Sequence, residues 1–317
     1  MAGDPFSDIL ELTHAETVLS GGFTAGGAWA IRFPAMGKMK FFAVMKGHCW
    51  LCRQGRQEPL RAATGDVFLL SEVDSFVLAG DPAAPPVDAI SLFSTRVSQF
   101  PKLNDGADCT LIGGFVRLDA ASRALLADVL PRLIHVRAAA PQAAVLRWLL
   151  DQFVSERESG LEGARLAAAH LAQLMFVQIL RLHLQTADIP TVGWLRALTD
   201  PRIAPALRLM HSDPGRSWQL AELARTVAMS RTSFSFHFKA AAGVAPLTYL
   251  TSWRMRLAER ALREESTPVA TIARSLGYTS ESAFSNAFKR VTGKAPNRYR
   301  SAARAANPTS ASRQPIA

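Results

Sequence analysis

The chain reads as an α+β protein, with a β-rich N-terminal part followed by an all-helical part that carries two helix-turn-helix units. Three observations predict this. Short apolar runs between turn residues fill the first ~120 residues. The segment 223–296 is nearly a sequence written twice. The charge divides unevenly, with 17 Lys and Arg against 19 Asp and Glu in residues 1–190, and 19 against 7 in residues 191–317.

The β-rich part begins with residues 29–33, where Trp29, Ile31 and Phe33 alternate with Ala30 and Arg32. Strands are expected at 41–45, 48–51, 67–70, 76–78 and 89–93, with turns at Gly65-Asp66, Gly80-Asp81 and the Pro82–Pro86 stretch. Many short strands of this kind fit a sandwich or small barrel, whose interior can hold a ligand. Gly113-Gly114-Phe115 is expected to end the strands, and helical periodicity takes over from Ala120. Leu125, Leu126, Val129 and Leu130 form one apolar face, and Val145, Leu146, Leu149, Leu150 and Phe153 the next. Ala167, Leu171, Leu174, Met175 and Ile179 form the longest, suited to core packing or to a homodimer surface. Residues 186–193, with Pro190 and little charge, read as a linker, and the Ala, Ser, Asn and Pro-rich tail as disordered.

The helical part opens with an expected helix over 202–210, with Asp200 as N-cap and Pro201 at its first position. In the repeat, Leu223-Ala224-Arg225-Thr226-Val227 answers to Ile272-Ala273-Arg274-Ser275-Leu276, 49 residues on. Phe234, Phe238, Lys239, Gly243 and Pro246 answer to Phe284, Phe288, Lys289, Gly293 and Pro296, 50 residues on. The extra residue falls in the turn, Ala228-Met229-Ser230 against Gly277-Tyr278-Thr279-Ser280. Each half therefore predicts a support helix (218–227, and from Thr267-Pro268) and a second helix capped by Ser230 or Ser280 and stopped before Gly243 or Gly293. Pro246 starts a long helix connecting the two.

Paired helices of this form on a basic domain point to duplex DNA, because the major groove admits a helix and shows a distinct edge for each base pair. The phenylalanines lie four apart, so they share a buried face and fix what projects outward. Thr232, Ser235 and Phe236 project from the first helix, and Ser282, Ser285 and Asn286 from the second. Asn286 can pair with adenine, and Ser and Thr can make single base contacts. Lys239, Lys289 and Arg290 suit phosphate, as does Arg231, although its charge opposes the helix dipole.

The run 277–290 with Gly293-Lys294-Ala295-Pro296 and Tyr299-Arg300 resembles the signature of the AraC/XylS family of bacterial transcription regulators. Pro246, Tyr249, Trp253-Arg254-Met255 and Ala258 resemble the family's connecting helix. The resemblance implies two units in successive major grooves and assigns base reading to Thr232, Ser235, Phe236, Ser282, Ser285 and Asn286. Phe236 and Asn286 occupy positions where relatives often carry arginine. Phe236 can then touch a thymine methyl or pack inward. The N-terminal half resembles a cupin-like sensing domain, which implies a β-barrel with packed helices. The expected domains are sensing and dimerisation over 1–185, a linker over 186–199, DNA binding over 200–304 and a disordered tail over 305–317.

Other chemistry finds little support. Cys49 and Cys52 form a lone CxxC on a strand pattern, where residues three apart face opposite ways, and Cys109 reads as a small buried hydrophobe. His48 stands alone in the β part, and the histidines at 14, 135, 170, 183, 211 and 237 are dispersed, so no metal or other cofactor and no enzyme activity is expected. Three cysteines, no apparent signal peptide and helices interrupted by charge before a membrane span point to the cytoplasm. The expected partners are promoter DNA, RNA polymerase, a second copy of the chain and a small-molecule effector. The expected effector pocket uses Trp29, Phe33, Phe42, Trp50, Phe68 and Phe76. The expected function is sequence-specific transcription activation under effector control. The alternatives are constitutive DNA packaging and, behind it, a metal-dependent cupin enzyme.

Overall fold

The computed structural model describes residues 4–13, 15–35, 37–53, 58–71, 75–94, 101–104, 106–119, 122–123, 126, 130–186, 193–264 and 266–306. Of the linker expected over 186–199, residues 187–192 lie outside the described residues, as do the tail beyond 306 and Leu125 and Val129; the linker's part Trp194–Thr199 is helix. The chain divides into two compact units, Thr13–Pro190 and Met1–Leu12 with Thr191–Ala317.

A first helix, α1 (Pro5–Thr13), was not legible in the pattern and belongs almost wholly to the second unit. The β unit follows. Its strands are β1 (Glu16–Ala25), β2 (Ala30–Phe33), β3 (Met39–Lys46), β4 (His48–Arg53), β5 (Leu60–Ala63) and β6 (Val67–Leu70). Then come β7 (Phe76–Ala79), β8 (Val87–Asp88), helix α2 (Ala89–Ser94), β9 (Lys102–Leu103), β10 (Cys109–Arg117) and β11 (Leu133–Val136). One sheet has the order β11-β6-β3-β10-β1-β9 and the other β5-β4-β7-β2-β8. They enclose a shared core in which Ile31, Phe68, Leu78 and Leu111 are fully buried. The cupin-like unit is thus two facing sheets and not a closed barrel. Among the described residues no ladder joins the edges, and β8 and β9 are only two residues long.

Two expectations in this unit fail for definite reasons. Residues 89–93 are helix, not strand: the Ile90 amide donates to Asp88 Oδ1 at 2.7 Å and opens a turn, and Ala89 and Leu92 are buried three apart. Gly113-Gly114-Phe115 does not end the strands but sits inside β10, and β11 interrupts the stretch expected to be helical. The turn at Asp66 behaves as read. Its buried carboxylate accepts from the Ala63 and Ala138 amides at 3.1 and 2.7 Å and meets His135 Nε2 at 3.0 Å.

Helices α3 (Ala144–Ser159) and α4 (Ala164–Thr186) pack together, and α4 packs on β1 and β11. Gln173 of α4 accepts from the Thr17 amide and hydroxyl of β1. The buried faces differ from the expected ones by Val145, exposed, and by Ala168, Ala172 and Phe176, which take the inner positions in place of Leu174, exposed. Residues 164–185 also reach the length and apolarity of a membrane span, contrary to expectation. Their packing on β1 and β11 makes this a core helix of the unit.

The second unit continues with α5 (Trp194–Thr199), α6 (Ala204–Ser212), α7 (Leu220–Thr226), α8 (Arg231–Ala242) and α9 (Pro246–Glu264). It ends with α10 (Val269–Ser275), α11 (Glu281–Thr292) and α12 (Pro296–Ala306). Asp200 does not cap α6, which starts after Ile203. It instead terminates α5, and its carboxylate accepts from the Arg202 amide at 3.0 Å and from the Arg202 guanidinium. That pairing holds the carboxyl below its usual range.

Candidate functional site

Each half of the repeat builds the same object. Support helix α7 or α10 ends in a turn whose left-handed residue is Ala228 (φ 52°) or Gly277 (φ 80°). In both turns the next amide reaches back five residues, from Met229 to Ala224 O and from Tyr278 to Ala273 O, each at 3.0 Å. The cap follows directly after Met229 but one residue later after Tyr278, so the additional residue is Thr279. Ser230 Oγ accepts from the Ser233 amide at 3.1 Å, and Ser280 Oγ from the Ala283 amide at 3.2 Å. Helices α8 and α11 then run to left-handed Gly243 and Gly293.

The phenylalanine pairs lie inward as the spacing requires. Phe234, Phe238, Phe284 and Phe288 are all fully buried, in two separate cores. The repeat extends one element further than the helices themselves. Tyr249, just inside α9, packs edge-on against Phe238 at 5.7 Å, and Tyr299, 50 residues on in α12, packs the same way against Phe288 at 5.4 Å.

Burying those rings leaves the opposite faces of α8 and α11 to solvent. Arg231, Thr232, Phe236 and Lys239 are exposed and Ser235 is half-buried; Ser282, Asn286, Lys289 and Arg290 are exposed and Ser285 is half-buried. Phe236 is 69% exposed, which excludes the inward-packed alternative. Its ring is an apolar surface feature on a helix face otherwise lined by Thr, Ser and Lys.

Arg254, on the connecting helix α9, has a different role from the surface cations. Its guanidinium donates to Pro214 O at 2.6 Å and Arg216 O at 2.8 Å and lies over the Tyr278 ring at 5.9 Å. Nearby, a Cβ on Gly277 would come within 2.0 Å of Gly215 O. The two helix-turn-helix cores are therefore clamped together where 214–216 meets 277–278. Sequence reading placed Arg254 in a family motif without this task.

In the same unit His211 is buried. Its Nδ1 meets Asp8 Oδ2 of α1 at 3.0 Å, its Nε2 meets Tyr249 Oη at 2.8 Å, and its ring stacks on Trp253 at 4.0 Å. Burial pushes the imidazole down to about 3. Burial, then Asp4 and Glu11, raises Asp8 to about 6. At neutral pH a neutral ring thus donates from Nδ1 to the carboxylate and accepts from the tyrosine hydroxyl.

The β unit holds a cavity of about 240 Å³ between its six-stranded sheet, β2 and α2. Of the six expected pocket residues, Phe33 and Phe42 line it; Trp29, Phe68 and Phe76 are core, and Trp50 is half-buried and absent from the lining. Lys38, Lys40, Phe93 and the glycines of β1 and β10 also line it and were not anticipated. Cys49 and Cys52 do not act together: Cys49 is buried and donates across the sandwich to Cys109, which drives its thiol far above the usual range. Among the described residues no group of three His, Cys, Asp or Glu side chains could hold a metal.

Comparison with known proteins agrees with this organisation. Residues 4–185 match a family model described as cupin, and residues 223–302 one described as a helix-turn-helix domain. A putative AraC-like transcription regulator of Streptomyces lividans is 44% identical over 297 residues, 94% of this chain and 98% of the relative. A second, from Streptomyces antibioticus, is 43% identical over the same shares. The HTH-type transcriptional regulator AlkR of Acinetobacter baylyi is 34% identical over 55% of this chain and 58% of its own length. Among solved structures, the DNA-binding domain of AdpA in complex with a target DNA is 30% identical over 34% of this chain and 96% of that chain, with a TM-score of 0.33. With the cupin model spanning more than half of the sequence and relatives aligned nearly end to end, the chain belongs to the AraC-like family of DNA-binding transcription regulators.

Proposed function

We propose that this regulator reads a specific promoter with both helix-turn-helix units and activates transcription when a small effector occupies the β unit. The observation that carries the reading is the duplicated geometry: same cap, same buried ring pair, same outward face, on the part of the chain that carries the positive charge. Thr232, Ser235 and Phe236, then Ser282, Ser285 and Asn286, contact base edges. Arg231, Lys239, Lys289 and Arg290 hold phosphates and set the register. Exposed Phe236 suits a thymine methyl, which gives the first unit a preference for A·T pairs.

The effector acts only if it binds the DNA-competent state more tightly than the other, since equal affinity shifts nothing. The expected partners are promoter DNA, RNA polymerase and a second copy of the chain. Exposed Trp148, Leu166 and Leu174 on α3 and α4 supply apolar surface for the last of these. Genome-wide footprinting with and without candidate metabolites tests the reading. A few ligand-sensitive promoters whose transcripts rise support it; broad, ligand-independent occupancy would favour a packaging protein.

A further inference from the structure

The cavity of the β unit has a chemical character that the aromatic content alone did not suggest. Its walls are Phe33, Phe42, Phe93 and Phe115, and its lining includes Gly21 and Gly113, which face each other in register on β1 and β10. Glycine inside a strand marks a close approach or a space kept open. Here a Cβ on Gly113 would come 2.7 Å from the Phe42 ring, so the ring lies down over the bare backbone. Among the described residues the charged lining side chains are two, both lysines, and no carboxylate lines the cavity.

Lys40 is the unusual one. It alternates with Phe42 along β3, so both point to the inner face, and it is only 8% exposed. Its ammonium lies 5.1 Å from the centre of the Phe33 ring and 5.5 Å from that of Phe76. Lys38 lies 4.5 Å over Phe115. Neither lysine forms an ion pair with a carboxylate among the described residues. Burial, with the charge of Lys38, lowers Lys40 to about 8, so it is still largely protonated at neutral pH. A desolvated ammonium held only by ring faces is costly to keep, and an anion arriving from solution offsets that cost.

We infer that the cavity binds a small aromatic monoacid, with its carboxylate on Lys40 and Lys38 and its ring among Phe33, Phe42 and Phe93. The size supports a compact ligand, because about 240 Å³ falls just below the range of ~300–1,000 Å³ usual for drug-sized ligands. One or two fused rings fit; a long acyl chain overfills it. The inference rests on the effector-controlled reading above and names the chemistry of that effector.

The test uses the full chain and two probes of one shape, 2-naphthoate and neutral naphthalene-2-carboxamide, titrated calorimetrically. The acid should bind at least tenfold more tightly than the amide at pH 7, and its advantage should fall as the pH rises through 8. Lys40→Met should abolish the advantage and Lys40→Arg should keep it. If Lys40→Met does not fold, the arginine variant and the wild-type pH series decide alone. Equal binding of acid and amide, or an acid preference indifferent to Lys40→Met and to pH, overturns the charge assignment while leaving an effector cavity standing. Failure of both probes to bind overturns the ligand class as well. Acid binding that changes neither DNA occupancy nor transcription supports the site and refutes its regulatory use.

Discussion

Asn286 is exposed on α11 one turn beyond Ser282, and among the described residues its side chain makes no hydrogen bond. Replacing it by alanine therefore breaks no side-chain hydrogen bond among the described residues, and alanine is the better helix former. Stability should be unchanged or slightly higher, so any loss is read directly in DNA binding. A paired contact to adenine discriminates by ~1–3 kcal/mol. At about 1.4 kcal/mol per tenfold, that is a loss of ~5- to 150-fold on the cognate duplex. A scrambled duplex, held through phosphates, should lose little. Lys289 sits three residues on, exposed beside Arg290. Lys289→Ala should weaken both duplexes alike and lower the slope of log affinity against log salt by ~0.9. The assay is fluorescence anisotropy with a footprinted promoter and its scrambled counterpart, across a salt series. Equal losses on both duplexes for Asn286→Ala, or a changed salt slope, would refute base reading at this position.

Three further outcomes are expected. Phe238→Ala empties a fully buried position against Phe234 and Tyr249, at ~3–5 kcal/mol out of a domain stability of ~5–15 kcal/mol. Urea denaturation should shift markedly and both duplexes should be lost; an unchanged midpoint would remove the ring from the core. His211 and Asp8 have opposite pH signs. The His211 contribution is present above 6.5 and lost as pH falls toward 3, while that of Asp8 is present below 3.8 and lost as pH rises through 6. The two oppose each other in acid, so Asp8→Asn should make the stability of the unit fall more steeply than wild type below pH 6.5; parallel curves would contradict it. Footprinting of the monomer should protect two adjacent major grooves on one face, ~34–36 Å apart, as an asymmetric direct arrangement. Protection confined to one groove would sink that geometry.

The helical part was legible because local rules and the repeat agree there. Ser230 and Ser280 cap, Gly243 and Gly293 stop the chain, and rings four apart must share a face. Once Phe234, Phe238, Phe284 and Phe288 are buried, the outward residues follow by helical geometry alone. Single-residue signals failed where a competing side-chain contact or a facing strand decided the outcome. Asp200 looks like a cap for α6 but turns to Arg202 and ends α5. Residues 89–93 have strand composition, but the turn at Asp88 starts a helix. The glycine pair at 113–114 looks like an ending, whereas the facing strand Gly21 and the Phe42 ring give it a reason to lie mid-strand.

By itself, then, the sequence determined that the two helices α8 and α11 exist, where they begin and end, and which side chains they turn outward, since each of these depends on contacts within a few residues. Tertiary structure decided what residues distant in sequence do to one another. It set α1 against His211, made Arg254 a clamp between two cores, and brought Cys49 to Cys109 across the sandwich. It also placed a buried Lys40, with no carboxylate partner among the described residues, in an aromatic cavity. No periodicity encodes such an environment, because the desolvation that gives Lys40 its character comes from strands and a helix spread over the 95 residues from Gly21 to Phe115.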